Sequence, residues 1–311
     1  MKKNILVFGS GGLVGSAVSR LVNKKYLEKF SIFSATRKDA NLFSLSETID
    51  LIEKVKPDVV INAAAKVGGI VANNTERTEF ILENLKININ ILESIVKYPN
   101  IKLINLGSSC IYPLNAKNPI QEISLMTGKL EPTNSPYAMA KLTAIEIGDA
   151  LKKQYGHSVI NLMPTNLYGP NDNFSPNKSH VIPGLMYRME LAKKNKLDKF
   201  EVWGTGTPRR EFLHVDDLAE AIIFIILKNI EESVLNIGSS KEVTISELAE
   251  TIKDTVSYKG SIIFDKSKPD GNPQKLLDSD KIRSFGWEPK IELKEGIKST
   301  YNWFTENIEI N

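Results

Sequence analysis

The chain opens with a glycine-rich turn between a short apolar segment and a helical pattern. Ile5–Phe8 is a continuous apolar run, as expected for a parallel strand buried on both faces. Glycines let a backbone approach a pyrophosphate, and the N-terminus of the following helix, Ser16–Lys25, supplies N–H groups and the positive end of its dipole. This order predicts an α/β fold with a doubly wound parallel sheet of Rossmann type, in which the turn binds a dinucleotide through Gly9, Gly12, Leu13, Val14 and Gly15.

The composition excludes several other classes of protein. Of the 311 residues, 41% are hydrophobic and 25% charged, as in an ordinary globular protein. The 40 basic and 37 acidic residues are interspersed, so no tract indicates nucleic acid or a membrane surface as a partner. No apolar run approaches the ~20 residues of a membrane span, and the first one is too short for a signal peptide. A single cysteine, Cys110, rules out an intrachain disulfide, and we expect a cytoplasmic protein.

The second predicted strand, Ser31–Ala35, ends in two cations. In NAD-specific folds an acidic residue near this point binds the ribose 2′-hydroxyl. Here the chain carries Arg37 and Lys38, which suit a 2′-phosphate, although they could also be a solvated pair in a loop. We therefore predict NADP(H) as the cofactor, with Arg37 as a contact.

Two further strands deliver small residues to the same edge of the predicted sheet. Pro57–Ala65 runs into a loop in which Ala63 and Ala64 allow a flat cofactor to lie close to the backbone. Ile101–Leu106 leads into Gly107-Ser108-Ser109-Cys110. Ligands bind at the carboxyl ends of strands in open α/β sheets, so this edge is the predicted site.

Tyr137 and Lys141 are the candidate acid–base pair. They are four residues apart and so share one face of a helix, for which Ser135 is the expected N-cap and Pro136 the first residue. A nearby ammonium should lower the pKa of the phenol and suit it to proton transfer with a carbonyl. Without its context the Y-x-x-x-K pattern is common on surface helices.

The alternation of strands and helices loosens after Pro164. We predict a cofactor-binding domain of residues 1–165 with parts of 205–240, and a discontinuous substrate-binding domain of residues 166–311. The substrate site would lie in the cleft between them. Helices are predicted at Val181–Lys193, Val215–Leu227, Ile245–Lys253 and Leu293–Phe304.

The sequence resembles the GDP-L-fucose synthases, a group within the extended short-chain dehydrogenase/reductase family, over nearly its whole length. The glycines follow the G-x-x-G-x-x-G spacing of that family. The other motifs that carry the resemblance are residues 62–74 (NAAAKVGGIVANN), 107–113 (GSSCIYP), 131–141 (EPTNSPYAMAK), 163–174 (MPTNLYGPNDNF), 179–183 (SHVIP), 202–217 (VWGTGTPRREFLHVDD) and 268–278 (KPDGNPQKLLD).

The resemblance implies reduction at C4 of a GDP-4-keto-6-deoxy sugar by NADPH, coupled to epimerisation at C3 and C5. Ser108, Tyr137 and Lys141 would form the reductase triad, and Cys110 and His180 the acid–base pair for epimerisation. Other implied cofactor contacts are Leu106, Pro164, Thr165, Asn166, Leu167, His180 and Lys141, and implied substrate contacts are Arg188, Trp203, Arg210, Asp270 and Lys275. The resemblance also implies a homodimer in which two helices of each subunit pair, and no metal.

Several of these residues have a plainer interpretation when taken alone. Cys110 would be a small buried hydrophobe, Trp203 a core residue and Arg210 a surface charge. Of the other histidines, His157 is expected at the surface and His214 in local packing or hydrogen bonding.

Two positions depart from the family pattern. Ser10 and Gly11 stand where an arginine is frequent, and Gln274 stands where a basic residue is frequent. Three alternative functions stay open at this point: a C4 reductase without epimerisation acting on a related GDP-4-keto-6-deoxy hexose or heptose, a nucleotide-sugar 4-epimerase or dehydratase, and a catalytically retired NADPH-binding sensor.

Overall fold

The computed structural model describes residues 2–176, 179–268 and 270–310. Its helices are α1 (Leu13–Leu21), α2 (Leu45–Val55), α3 (Ile70–Thr75), α4 (Arg77–Ser94), α5 (Ser135–Tyr155), α6 (Val181–Lys194), α7 (Val215–Lys228), α8 (Ile245–Val256), α9 (Asp280–Ser284) and α10 (Leu293–Asn307). A π-helical turn, Val22–Tyr26, extends α1, and 3₁₀ turns lie at Ser109–Ile111 and Glu122–Ser124.

The strands are β1 (Lys3–Phe8), β2 (Phe30–Ala35), β3 (Val59–Asn62), β4 (Lys102–Leu106), β5 (Val159–Pro164), β6 (Asn166–Tyr168), β7 (Lys199–Trp203), β8 (Arg209–His214), β9 (Val234–Ile237), β10 (Glu242–Thr244), β11 (Ser261–Asp265) and β12 (Gln274–Lys275). Six of them form one parallel sheet in the order β2-β1-β3-β4-β5-β9. The strand order reverses between β1 and β3, which is where such sheets bind nucleotides. The predicted doubly wound parallel sheet is confirmed.

Alternate residues of β1 pack against helices on opposite faces of this sheet, as the two-residue period of a strand requires. Ile5 and Val7 belong to the core that contains residues of α1 and α7. Leu6 and Phe8 belong to the core that contains residues of α2, α4 and α5. The continuous apolar run at the start of the chain is therefore explained by helices that cover both faces.

The second half of the chain contributes smaller sheets. Strand β8 pairs with β10, β12 and β6, and β7 pairs with β11. Helices α6, α8 and α10 share a separate apolar core that includes the stacked rings of Phe174 and Phe304, with centroids 4.7 Å apart. The four helices predicted here are confirmed, each ending one to three residues later than expected. The proposed boundaries of the two domains stay a prediction.

Within the described ranges, no helix combines the length and the apolar character needed to cross a membrane. The same residues contain no group of three or more His, Cys, Asp and Glu side chains placed to hold a metal ion.

Candidate active site

The glycine turn meets the end of β3 at the point where the strand order reverses. Gly9 has a left-handed backbone (φ 79°), and a Cβ there would lie 2.7 Å from Ala64 N and 2.8 Å from the carbonyl of Ala63. A Cβ on Gly15 would lie 2.3 Å from the carbonyl oxygen of Gly9. Both glycines are therefore required for this close approach of backbones, and Ala63 and Ala64 lie beside the turn as expected.

The first turn of α1 has the geometry of an anion site. Gly12 is the N-cap, and no side chain caps the helix, so the N–H groups of the first turn, which include those of Leu13 and Val14, can meet a phosphate. Ser10 turns inward, where its hydroxyl donates to the carbonyl of Ala35 at 2.9 Å. This bond ties the turn to the end of β2.

Arg37 is exposed two residues beyond that tie. The nearby carboxylate of Asp39 accepts hydrogen bonds from the backbone N–H (2.8 Å) and the hydroxyl (2.9 Å) of Thr36. These bonds lower the pKa of Asp39. Asp39 therefore keeps its negative charge, and the three residues Arg37, Lys38 and Asp39 together carry a net charge of +1.

Lys141 lies in the interior beneath the end of β4. Its side chain is 2% exposed, and Nζ donates to the carbonyl of Leu106 at 2.6 Å. Nζ also lies 5.8 Å from the centre of the Tyr137 ring. Burial lowers the pKa of Lys141 to about 8, so the ammonium is the main form at neutral pH.

The expected lowering of the Tyr137 pKa is wrong in this structure. Burial raises this pKa, the charge of Cys110 raises it further, and a hydrogen bond with Ser108 opposes both effects. Lys141 does not oppose this shift, because its own pKa of about 8 means that its amine is already neutral at the pH at which the phenol ionises. The phenol therefore stays protonated at neutral pH, which is the form that can donate a proton.

Ser108 and Ser109, adjacent in sequence, have different surroundings. Ser108 is partly exposed, bonds to Tyr137, and accepts a hydrogen bond from the Cys110 N–H at 3.2 Å. Ser109 is 4% exposed. The structure thus brings together Ser108, Cys110, Tyr137 and Lys141, with Ser108 as the serine that faces the phenol.

The start of α5 differs in detail from the prediction. Asn134, not Ser135, is the N-cap, and Ser135 and Pro136 form the first turn. The carboxylate of Glu131 sets this entry, because it accepts from Asn134 N at 3.0 Å and from the Thr133 hydroxyl. The local sequence pattern did not indicate that a carboxylate of the preceding loop would hold the start of this helix.

Two sets of side chains that position the pair were missed by the sequence analysis. Phe80 of α4 packs edge-on against Tyr137, with ring centres 6.3 Å apart. Buried amides also link the ends of adjacent strands to α4: Asn62 donates to Asn105 at 2.8 Å and to Asn88 at 3.1 Å. Asn88 in turn donates to the carbonyl of Ala140, next to Lys141. The sequence feature that could have revealed this network is an asparagine at or next to the end of two adjacent strands, β3 and β4.

His180 is the N-cap residue of α6. It is exposed, and partial loss of hydration lowers its pKa. No hydrogen bond or ring contact among the described residues links it to Cys110 or Tyr137.

The other two histidines lie away from this site. His214 caps α7 by accepting a hydrogen bond from Asp216 N, as expected of local hydrogen bonding. The expectation for His157 is wrong, since it is 1% exposed and bonds to the Val96 carbonyl.

The residues after β5 lie at the same edge of the sheet. Pro164 ends β5, and Thr165 N donates to the Ile237 carbonyl at the end of β9. Asn166 Nδ2 and the Thr165 hydroxyl both donate to the carbonyl of Glu211. Leu167 packs against the core beneath the sheet.

The candidate substrate residues come from β7, β8, β12 and α6. Arg210 and Lys275 are direct partners in the parallel pairing of β8 with β12. Burial lowers the pKa of Arg210, and the charge of Asp270 opposes this. Asp270 accepts from Thr205 N at 2.6 Å and from the Thr205 hydroxyl at 2.8 Å. The structure therefore brings Arg210, Lys275 and Asp270 together.

Trp203 is the last residue of β7, and Arg188 contacts two other residues of this strand. Trp203 is 53% exposed, with Lys268 Nζ 5.7 Å from the centre of its ring, so it is not a core residue. Arg188 donates to the carbonyl of Glu201 at 3.4 Å, and its guanidinium lies 5.3 Å from the ring centre of Phe200. Burial lowers the pKa of Arg188, and Glu201 opposes this.

The fold and this arrangement are those of a nucleotide-dependent epimerase or reductase. Residues 5–238 match the NAD dependent epimerase/dehydratase family. The chain is 47% identical over 304 residues to GDP-L-fucose synthase 1 of Arabidopsis thaliana, covering 98% of this chain and 94% of that protein. It is 45% identical over 315 residues to GDP-L-fucose synthase of Escherichia coli (strain K12), covering 98% of each.

A solved structure gives the same result. The gdp-l-fucose synthetase from Naegleria fowleri bound to NADP has a TM-score of 0.89 and 31% identity, covering 99% of this chain and 95% of that chain. The chain therefore belongs to the NAD dependent epimerase/dehydratase family and, within it, to the GDP-L-fucose synthases. The resemblance drawn from the sequence motifs is confirmed.

Proposed function

We propose that this protein is an NADPH-dependent oxidoreductase that converts GDP-4-keto-6-deoxy-D-mannose to GDP-L-fucose by epimerisation at C3 and C5 and reduction at C4. The observation that carries the proposal is the contact of Tyr137 with Ser108 beside Cys110 and Lys141, at the carboxyl edge of the parallel sheet. Full-length similarity to GDP-L-fucose synthases supports it.

The residues present fit the cofactor. The Gly9–Gly15 turn admits a pyrophosphate because side chains are excluded there, and the uncapped N-terminus of α1 supplies N–H donors. Arg37 would bind the 2′-phosphate, and Ala63, Ala64, Leu106 and residues 164–167 would line the rest of the site. NADPH supplies the hydride for C4.

Tyr137 would donate its proton to the C4 oxygen as this carbon is reduced. Its raised pKa keeps the phenol protonated until the substrate oxygen becomes basic. Ser108 would donate a hydrogen bond to the same oxygen, and the ammonium of Lys141 would stabilise the phenolate that remains.

Epimerisation uses the same oxygen site. A proton on the carbon next to a ketone becomes removable when the C4 oxygen carries the charge of the enolate, and Tyr137 and Ser108 would stabilise that oxygen. Cys110 and His180 would exchange protons with opposite faces of the sugar. The lowered pKa of His180 keeps its imidazole neutral near pH 7, the form that accepts a proton.

The GDP moiety would bind over β7, β8 and β12. The adjacent cations of Arg210 and Lys275 suit a diphosphate, and Arg188 adds a third positive charge. The open face of Trp203 suits stacking on a ring, and Asp270 fixes the loop beside it.

We also propose a homodimer in the cytoplasm. Helices α4 and α5 pack against each other and expose apolar side chains, of which Leu82 is 49%, Ile89 38% and Met139 43% exposed. A second copy would cover these helices. Light scattering of the purified protein would give a dimer mass, and replacing Leu82 and Ile89 by glutamate should give monomers.

The direct test is a coupled assay with the purified protein. Incubation with NADPH and GDP-4-keto-6-deoxy-D-mannose should oxidise one NADPH per sugar, and chromatography should identify GDP-L-fucose. A reduced sugar with unchanged configuration at C3 and C5 would mean a C4 reductase only. NADPH binding without oxidation would favour the retired sensor.

A further inference from the structure

Glu211 places a carboxyl group in the interior of the protein, beside the proposed diphosphate site. It follows Arg210 in β8, and its side chain is 0% exposed. Burial raises the pKa of Glu211, and hydrogen bonds from the backbone N–H groups of Leu277 and Ser240 oppose the shift. Nothing assigned to the reaction so far uses this carboxylate.

The two oxygens of the carboxylate hold two different segments. Oε1 accepts from Ser240 N at 2.6 Å, in the loop that follows β9 of the parallel sheet. Oε2 accepts from Leu277 N at 3.1 Å, just beyond β12. A Cβ on Gly238 would lie 2.3 Å from Oε1, so the carboxylate fills the space that a side chain at this position would take. Glu211 therefore joins the cofactor-binding sheet to the segment that ends in Leu277.

That segment carries the proposed ligands of the GDP moiety. Lys275 stands two residues before Leu277 and pairs in register with Arg210, which stands one residue before Glu211. Because β12 has only two residues, its pairing with β8 provides few hydrogen bonds of its own. The hydrogen bond from Leu277 N to Glu211 Oε2 adds a contact at the end of this pairing.

We propose that Glu211 is a positioning residue of the sugar-nucleotide site, whose carboxylate fixes residues 270–277 on β8 so that Arg210 and Lys275 face one diphosphate. The inference rests on the proposed role of these two cations. Glutamine has the same shape but only one acceptor oxygen, so its NH₂ group would face either Ser240 N–H or Leu277 N–H. Loss of either bond would loosen the alignment of the two cations.

The test is Glu211→Gln, measured by calorimetric titration with GDP and with NADPH and by steady-state kinetics. The Kd for GDP and the KM for the GDP-sugar should rise about tenfold or more, while kcat and the Kd for NADPH stay within about threefold. A fall in kcat with unchanged GDP affinity would overturn the proposal.

Asp217 provides a matched control. It is 3% exposed, and its two oxygens accept from Lys290 N at 3.0 Å and Ile291 N at 2.9 Å, so it makes the same type of junction at a different place. Asp217→Asn should lower Tm as Glu211→Gln does but leave the Kd for GDP unchanged. If both variants lower Tm alike and neither changes GDP affinity, Glu211 is only structural and the proposal is wrong.

Two further variants keep the result interpretable. Gly238→Ala displaces the carboxyl group without removing either of its acceptor oxygens and should also raise the Kd for GDP, which tests the proposal even if Glu211→Gln does not fold. Unchanged GDP affinity in Gly238→Ala would count against it.

Arg210→Gln tests whether Arg210 binds the diphosphate at all. If this variant does not weaken GDP binding, the proposed sugar-nucleotide site is wrong, and the inference on Glu211 is wrong with it. If it weakens GDP binding and Glu211→Gln does not, only the inference on Glu211 is wrong.

Discussion

The proposed reductase centre and the proposed sugar-nucleotide surface are built in different ways. Ser108 follows β4, and Tyr137 and Lys141 lie on α5, the next long helix, so these three side chains come from two neighbouring elements, and only His180 of the proposed epimerisation pair comes from a third, α6. The proposed sugar-nucleotide surface takes residues from α6, β7, β8 and β12 and from the loop that contains Asp270. It therefore depends on the register between strands that are distant in the chain. We therefore infer that the residues for reduction are encoded close together in the chain, whereas affinity for the substrate depends on the pairing of distant strands. If the two regions act separately, substitutions in the first should change kcat and substitutions in the second should change KM.

The largest effect is expected for Tyr137→Phe. Loss of the proton donor should lower kcat about 10³-fold, with the KM for the GDP-sugar and the Kd for NADPH nearly unchanged. Tyr155→Phe is the matched control, because Tyr155 lies at the exposed end of the same helix. Near-normal turnover by Tyr137→Phe would remove the phenol from the mechanism.

Cys110→Ser should separate the two half-reactions. We expect formation of GDP-L-fucose to fall about 10²-fold, while NADPH is still oxidised and yields a product with unchanged C3 and C5. The buried neighbour offers a control, since Ser109→Ala should still give GDP-L-fucose. Product NMR measures both, and full activity of Cys110→Ser would contradict the assignment.

Arg210→Gln should change affinity and spare chemistry. The KM for the GDP-sugar should rise about tenfold, with kcat within about threefold, because a charge-assisted bond to the diphosphate is lost. The control is Arg209→Gln, because the neighbouring Arg209 pairs with Glu242 and is not proposed to bind the diphosphate. A loss confined to kcat would show that the two regions do not act separately.

Arg37→Ser tests the choice of cofactor. The KM for NADPH should rise about tenfold and that for NADH should stay unchanged, since only NADPH carries the 2′-phosphate. Lys29→Ser removes the same charge at the opposite end of β2 and should affect neither. Equal use of NADH and NADPH by the unmodified enzyme would contradict the role of Arg37.

The smallest effect is a pH dependence from Lys141. Its pKa of about 8 means that the ammonium is lost as pH rises through this value, so kcat should fall about threefold between pH 7 and 8.3. The contribution of Lys141 to stability has the opposite sign. The pKa of Lys141 is 10.5 in the unfolded chain and about 8 in the folded protein. From about pH 8 upwards the unfolded chain therefore binds more protons at this residue, so the contribution of Lys141 to the free energy of unfolding rises with pH. A fall in activity with no fall in Tm would therefore distinguish titration from unfolding.

The sequence predicted the fold well because its signals were local. The apolar run Ile5–Phe8, the glycine turn and the helical periodicities correspond to structure formed by residues close in the chain. The Tyr137–Lys141 pair was visible for the same reason, and Trp203 and Arg210 were found only through resemblance.

What could not be predicted depends on residues brought from elsewhere. The Glu131 carboxylate sets the start of α5, and burial raises the pKa of Tyr137 while it lowers that of Lys141. The junction at Glu211 needs the register of β8 with β12. No periodicity within one segment reports such contacts.

In the proposed mechanism one oxygen site, formed by Tyr137 and Ser108, serves both half-reactions. NMR of GDP-4-keto-6-deoxy-D-mannose in D₂O without NADPH, with the unmodified enzyme and with Tyr137→Phe, isolates the use of this site in epimerisation. We predict deuterium at C3 and C5 with the unmodified enzyme and an exchange rate at least about tenfold lower in the variant. Exchange at the same rate in both proteins would show that epimerisation does not use the phenol, and would contradict the shared site.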